Sequence, residues 1–355
     1  MVLRGGSVFV KHPQNGARIY LVAAVLATAL MLSHPGAAQG LAQSVAADSN
    51  AALDVVQIRP NFYVLAGAGG NIGVQIGPDG VVLVDAGRED AADRVVAAVR
   101  KLTDKPIRYI INTNADADHV GGNARVAKAG KTFFNVEGPR AEMAKTMTNG
   151  GAAAILASDG VLRRMSGATH GNKAYPAEAW PTEAFFQPRK AIYLNREGIE
   201  VLRAPAAHSD SDSLVFFRGS DVVMAGDVLD TTGFPHIDLA QGGSLEGEID
   251  ALNHLLELAI PPVPLVNQEG GTYVVAGHGR VCDQADVLDY RDMVVTVRDV
   301  VQDMIKRGVA LDQIKAASPA LPYERQYGRS ANGWTTNAFV EVVYRSLIAA
   351  PTRAK

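Results

Sequence analysis

The sequence is poor in several features that would indicate particular protein classes. Its 355 residues include one cysteine, Cys282, so no disulfide can form within the chain. Aromatic residues make up only 6%, and the 34 basic and 37 acidic residues form no block of like charge. A nucleic-acid-binding surface is therefore not expected. The hydrophobic share of 47% and the charged share of 20% are those of an ordinary globular protein with a large core.

Two common catalytic motifs are also missing. The chain has no Gly-x-Ser-x-Gly sequence, which disfavours a serine hydrolase. It does not contain the full phosphate-binding loop motif, Gly-x-x-x-x-Gly-Lys-Ser/Thr, either. A glycine-rich stretch at 67–70 lies between two short predicted strands rather than before a helix, and it is interpreted as a mobile hairpin beside the substrate.

The longest apolar run is too short to cross a membrane. Residues 19–32 are apolar, whereas a membrane-spanning helix needs roughly 20 such residues. Basic residues precede the run and small residues follow it, namely Arg4, Lys11 and Arg18 and then Gly36, Ala37 and Ala38. This order predicts a signal peptide over 1–38, cleaved after Ala38 or else Ala42, with an uncleaved anchor as the alternative. The mature protein would be exported, to the periplasm, with a net charge of −6.

The rest of the sequence predicts one α/β domain. Residues 39–53 are predicted to be a linker, and from residue 54 strands and helices follow one another in two similar rounds. Residues 148–185 are irregular and are predicted to form an inserted loop or flap, and residues 284–355 a mainly helical C-terminal part. The insertion carries aromatic residues that could contact substrate or form its own core, namely Tyr175, Trp180, Phe185 and Phe186.

The most informative stretch is Asn112–Asn123, which reads Asn-Thr-Asn-Ala-Asp-Ala-Asp-His-Val-Gly-Gly-Asn. It follows a buried strand predicted over residues 107–111. If the backbone stays extended, Asn114, Asp116 and Asp118 share one face, with His119 beside them. Carboxylates and a histidine this close together are costly to desolvate without a cation. A polar turn that caps a helix is the alternative interpretation.

Three more polar clusters follow predicted strands. They contain His208 in Ala-Ala-His-Ser-Asp, Asp227 in Met-Ala-Gly-Asp, and His278 in Ala-Gly-His-Gly-Arg. Each histidine alone is more often structural, but four clusters at successive strand ends indicate a shared site. His236 and Arg280 are close in sequence to these clusters, and they are candidate pocket residues.

Together these motifs resemble those of the metallo-β-lactamase superfamily, over residues 55–278. That family carries His-x-His-x-Asp-His followed by Gly-Gly, then a distant His, an Asp after Gly, and a final Gly-His. The resemblance implies an αββα sandwich with two metal ions at one edge of the sheets. It implies that Asp118, His119 and His278 hold the second metal, that His208 binds the first, and that Asp227 bridges the two. Asp85 falls where the family places an aspartate that orients ligands.

The first metal site departs from the family pattern. The first two histidines of the motif are Asn114 and Asp116 here. An amide oxygen is a weak donor, so Asn114 is at best a marginal ligand, whereas Asp116 can ligate. More oxygen ligands shift the preference from zinc toward manganese or iron. One or two Zn²⁺ ions are expected, with Mn²⁺ or Fe²⁺ as alternatives at the altered site.

The resemblance implies an exported metal-dependent hydrolase. It would use a metal-bound water to cleave an ester, thioester, lactone or amide of a small-molecule substrate, with Asp118 as the catalytic residue. Both metals or only the second could be bound. Two other functions remain open: a mononuclear iron oxygenase of sulfur compounds, which needs two histidines and one carboxylate, and a non-catalytic protein with a decayed first site.

Overall fold

The first half of the chain builds a seven-stranded sheet. The computed structural model describes residues 52–133, 151–169, 173–262, 270–328 and 334–349. In this sheet the strands lie side by side in chain order. They are β1 (Asp54–Arg59), β2 (Phe62–Ala66), β3 (Ile72–Gly77), β4 (Gly80–Val84), β5 (Ile107–Ile111), β6 (Ala154–Ser158) and β7 (Glu183–Phe185). Strands β1–β4 form an antiparallel meander, and β4–β7 pair in parallel. Helix α1 (Ala92–Leu102) connects β4 to β5, and two short helices, α2 (Ala117–Val120) and α3 (Asn123–Ala129), follow β5.

The second half builds a six-stranded sheet. Its order is β13-β12-β11-β10-β9-β8, with β8 (Arg189–Leu194), β9 (Glu197–Arg203), β10 (Ser213–Phe217), β11 (Val222–Asp230), β12 (Tyr273–His278) and β13 (Val281–Cys282). Strands β11 and β12 are parallel. Helix α5 (Leu245–Leu258) lies between them in sequence and begins at Ser244, whose side chain caps it.

Successive side chains of each strand face opposite sides of its sheet, so each sheet contributes to a core between the sheets and to a core under helices, which gives four layers. In β4, Val82 and Val84 belong to the core between the sheets, whereas Val81 and Leu83 belong to the core under α1. The second sheet divides in the same way. Val201 of β9 faces the first sheet, and Leu202 belongs to the core beneath α5. The predicted αββα sandwich is therefore confirmed.

Helices dominate the C-terminal part, as predicted. The longest, α6 (Gln284–Lys306), begins with a capping box in which Asp283 and Asp286 satisfy each other's backbone N–H groups. It is followed by α7 (Leu311–Ala317), α8 (Glu324–Tyr327) and α9 (Thr336–Ala349). Their buried residues join the core on the outer face of the second sheet. None of the helices in the described residues is long and apolar enough to span a membrane.

The structure differs from the loop or flap predicted over 148–185. Strand β6 lies inside the first sheet, and β7 forms its edge. Between them, α4 (Asp159–Met165) buries Val161 and Met165. The segment is thus largely part of the sandwich, although residues 148–150 and 170–172 lie outside the described ranges. The predicted signal peptide and residues 39–51 of the predicted linker also lie outside them.

Candidate metal centre

The polar clusters meet because the strands that precede them end at the same edge of the two sheets. Asp85 follows β4, and Asn112–Asn123 follows β5. His278 is the last residue of β12, which pairs in parallel with β11, the strand that carries Asp227. The carboxyl ends of parallel strands are where α/β proteins place their ligands.

The motif backbone is not extended throughout, contrary to the one-face arrangement expected from the sequence. Asp116 is extended (φ −77°, ψ 149°), and a single helical turn, α2 (Ala117–Val120), begins directly after it. The turn directs Asp116 and Asp118 to different partners. It is held against the loop after β4, since a Cβ on Gly122 would lie 2.3 Å from the Ala86 carbonyl oxygen. Glycine is therefore required there.

The side chains form two groups of potential metal ligands. The His119 group contains Asp118, His119 and His278, and the His208 group contains Asp116, His208 and Asp227. In each group the three ligand atoms lie within 4.8 Å of one another. Asp227 also contacts the His119 group, because its Oδ1 lies 3.1 Å from His119 Nε2 and 3.3 Å from His278 Nε2.

His119 is held in place by Asp85. Its Nδ1 lies 2.8 Å from Asp85 Oδ2, while Asp85 Oδ1 accepts a hydrogen bond from the Thr113 backbone N–H at 2.8 Å. Asp85 adopts a left-handed backbone conformation (φ 65°) to make these contacts. The contact at Nδ1 leaves Nε2 facing Asp118 and His278, as a metal ligand requires. Burial opposes the charged imidazole, but the Asp227 and Asp85 carboxylates raise the pKa of His119 well above its usual value.

His278 and Asp118 complete this group. His278 Nε2 lies 3.3 Å from Asp118 Oδ2. Although burial opposes the charge, the Asp118 and Asp227 carboxylates raise the pKa of His278 to about 10. Burial in turn would raise the pKa of Asp118, but the hydrogen bond from His278 holds it below its usual value. Two imidazoles and two carboxylates thus converge, a donor set that fits a divalent ion such as zinc.

The His208 group is surrounded differently. Asp116 Oδ2 lies 3.0 Å from His208 Nε2, and Asp116 Oδ1 accepts a hydrogen bond from Arg164 Nη2 at 2.8 Å. The amide of Asn114 donates to Asp227 Oδ2 at 2.8 Å. Asn114 therefore presents an N–H to this group rather than a ligand oxygen.

A cavity of about 860 Å³ lies beside both groups. Its walls include Asp116, Asp118, Arg164, Lys173 and Tyr175. The cavity thus combines two carboxylates of the site with two cationic side chains, and it is large enough for a small-molecule substrate.

The aromatic candidates have different environments. Tyr175 lines the cavity, and its backbone carbonyl accepts a hydrogen bond from Trp180 Nε1. Phe185 is buried in the core between the sheets, whereas Phe186 is 68% exposed. Tyr175 is therefore the one of the four that lines this cavity.

The remaining candidates lie around the site. The backbone carbonyl of His236 accepts a hydrogen bond from His208 Nδ1, and the two rings lie 5.2 Å apart. The structure does not bring Arg280 into the cluster, because its guanidinium pairs with Asp286 on α6. Cys282 is buried, and burial raises the pKa of its thiol to about 12, so it stays protonated.

Sequence reasoning missed one residue of the site. Arg164 gave no signal, because Arg163 and Arg164 are adjacent and only the fold shows which of them is buried. The glycine stretch at 67–70, interpreted from the sequence as a hairpin beside the substrate, contacts the site directly. Its Gly70 N–H donates to the Asp118 carbonyl, and a Cβ on Gly70 would lie 2.7 Å from the His119 ring.

Comparison with known proteins supports the family resemblance found in the sequence motifs. Residues 66–265 match the family described as the metallo-beta-lactamase superfamily. No curated protein matches the chain. Among solved structures, the stereoselective inverting sec-alkylsulfatase Pisa1 from Pseudomonas sp. has a TM-score of 0.60 at 14% identity, covering 82% of this chain and 50% of that one. A double mutant of the sec-alkyl sulfatase PisA1 has a TM-score of 0.61 at 14% identity, with 84% and 51% covered.

A metallo-beta-lactamase from Pontibacter korlensis is more distant, with a TM-score of 0.47 at 14% identity, covering 68% of this chain and 98% of that one. The chain spans about half the length of the alkylsulfatases, and at this identity the likeness concerns the fold alone. The family match covers more than half of the chain. The chain therefore belongs to the metallo-β-lactamase superfamily.

Proposed function

We propose that this chain is a metal-dependent hydrolase of a small molecule, with a metal ion held by Asp118, His119 and His278 and by Asp227. One observation carries the proposal: two imidazole nitrogens and two carboxylate oxygens converge at the end of β5 and β12, beside a cavity of about 860 Å³. The bond cleaved would be that of an ester, thioester, lactone or amide. Zinc is the expected ion, with manganese or iron as alternatives.

A divalent ion supplies a hydroxide near neutral pH by lowering the pKa of a coordinated water. The chain's own residues fix its environment. Asp85 holds the Nδ1 side of His119, so that Nε2 faces Asp118, Asp227 and His278. Asp118 lies on the cavity wall, and it is the carboxylate placed to orient a water toward a bound substrate. Lys173 also lines the cavity, and its positive charge favours a substrate with a negative group.

The substrate panel should therefore include anionic esters. Sulfate esters are added because the structural neighbours are described as alkylsulfatases. We expect turnover of at least one ester, thioester, lactone, amide or sulfate ester. We also expect a chelator to remove the activity, and Zn²⁺ or Mn²⁺ to restore it, because no amino-acid nucleophile is proposed. Turnover that persists in fully metal-free protein would contradict the proposal.

The iron-oxygenase alternative requires two histidines and one carboxylate with open positions. Asp227 Oδ1 adds a second carboxylate within 3.3 Å of both histidines of the His119 group, which favours the hydrolase. Oxygen consumption during turnover, with iron as the bound metal, would identify the oxygenase instead.

Export is part of the proposal and depends on the predicted signal peptide over 1–38. We expect the mature protein to be found in the periplasm with its N-terminus at residue 39 or 43. An intact N-terminus on cytoplasmic protein would contradict export without affecting the hydrolase assignment.

A further inference from the structure

The oxygens of the His208 group already have hydrogen-bond donors. Asp116 Oδ1 accepts from Arg164 Nη2 at 2.8 Å, and Asp116 Oδ2 faces His208 Nε2 at 3.0 Å. Asp227 Oδ2, the oxygen nearer to His208, accepts from the Asn114 amide at 2.8 Å. A metal ion in this group would have to displace these donors.

Two of the donors cannot become ligands. A guanidinium has only N–H donors and stays charged in proteins. The Asn114 side chain is fixed in orientation, because its Oδ1 accepts the Asp116 backbone N–H at 2.9 Å and its NH₂ therefore faces Asp227. In the His119 group, by contrast, Asp118 and Asp227 meet imidazole nitrogens, which are themselves good metal ligands.

Arg164 is built into the fold rather than lying at the surface. It projects from α4, it is only 7% exposed, and its Nη1 donates to Ser211 Oγ at 3.0 Å. A buried guanidinium needs a counter-ion, and Asp116 supplies it. Bringing a second cation onto the same carboxylate would place like charges side by side, which is unfavourable at such short range.

We propose that Arg164 takes the place of the first metal ion, so that this chain binds one divalent ion, in the His119 group with Asp227. The guanidinium balances the charge of the Asp116 carboxylate. The Asn114 amide donates a hydrogen bond to Asp227 Oδ2, the oxygen nearer to His208, and so occupies it. Asp116 is then a counter-ion and not a ligand. This inference rests on the proposed metal-dependent function, because it concerns the same centre.

The first test counts zinc ions per chain, by elemental analysis and calorimetric titration of metal-depleted protein. We expect one ion in the wild type and one in Asn114→His, because the guanidinium remains. We expect two in Asn114→His/Arg164→Met, which restores an imidazole and removes the charge. The control is Asn114→His/Arg163→Met, since Arg163 lies on the same helix but pairs with Asp159; it should bind one.

Two ions in the wild type or in Asn114→His would overturn the proposal. So would a single ion in Asn114→His/Arg164→Met that circular dichroism shows to be folded. A second variant covers the case in which loss of Arg164 prevents folding. Asp116→Asn keeps the side-chain shape, and we expect it to retain one ion per chain; loss of that ion from protein that circular dichroism shows to be folded would show that Asp116 is a ligand.

These outcomes are separate from those of the hydrolase proposal. One ion per chain with no turnover of any substrate in the panel would overturn the hydrolase and leave the metal count intact. Two ions per chain with chelator-sensitive hydrolysis would overturn the single-ion proposal and leave the hydrolase proposal intact.

Discussion

Replacing Asp118 by alanine should lower the hydrolysis rate by about 10²–10⁴-fold, the effect of removing a positioned catalytic group. Asp118 supplies a carboxylate to the His119 group and lies on the cavity wall. Its loss leaves His119, His278 and Asp227 to hold the ion, so zinc content should fall as well. The measurement is the turnover of the best substrate from the panel, together with zinc per chain.

The fold should survive this substitution, because the Asp118 side chain is 34% exposed and its ion pair is with His278. Asp104→Ala is the matched control: Asp104 is an exposed aspartate just beyond the end of α1. It should keep wild-type activity and metal content. Unchanged turnover in Asp118→Ala would remove Asp118 from the mechanism.

Replacing Glu248 by glutamine should stabilise the protein at alkaline pH. Glu248 lies in α5 and is 1% exposed, and neither of its carboxyl oxygens has a hydrogen-bond partner among the described residues. Burial, reinforced by the Asp212 carboxylate, raises its pKa well above the usual value. The folded state therefore holds this proton more tightly than the unfolded state does.

The direction of the pH effect follows from that difference. The pKa of Glu248 is raised on folding. Below about pH 4.5, the pKa of a glutamate in the unfolded chain, its ionisation therefore does not lower the free energy of unfolding. As pH rises from there toward the folded pKa, Glu248 destabilises the protein increasingly. Glutamine cannot ionise. The free energy of unfolding of Glu248→Gln, relative to wild type, should therefore increase between pH 5 and pH 8, by at most about 1.4 kcal/mol per pH unit, the linkage of a single proton.

Urea unfolding in the presence of chelator measures this difference. Glu246→Gln is the control, because Glu246 is exposed in the first turn of the same helix. Its effect should not change with pH. An equal effect of Glu248→Gln at pH 5 and pH 8 would show that Glu248 is already ionised in the folded protein.

The sheets and long helices were predictable because their patterns are local. The apolar run Val81–Val84 is a strand buried on both faces, and the spacing of Val95 and Val99 places one face of α1 on the sheet. The part predicted to be mainly helical, residues 284–355, begins with the long helix α6, Gln284–Lys306. Each of these elements has enough residues for its period to be recognised.

Strand β6 could not be recognised in this way. Its sequence, Ala-Ile-Leu-Ala-Ser, is short and rich in alanine, which has a low strand propensity. It is a strand because it pairs with β5 and β7 within the sheet. Tertiary pairing thus overrides the local preference, and a segment interpreted as an insertion lies within the sandwich.

The candidate site shows the same division between local and tertiary information. Residue types identified Asp118, His119, His208, Asp227 and His278, and the structure brings all five together. The sequence could not show that a helical turn begins between Asp116 and Asp118, since aspartate is favoured both in turns and at helix N-termini. Nor could it show that the guanidinium beside Asp116 comes from a helix 48 residues away in the chain.

The most direct test of the central claim is to locate the ion. We predict that crystals grown with zinc will show one anomalous peak about 2.0–2.2 Å from His119 Nε2, His278 Nε2 and a carboxylate oxygen of Asp118. Arg164 should still contact Asp116 in the same crystals. A peak between Asp116 and His208, or no peak within reach of His119, would contradict the account.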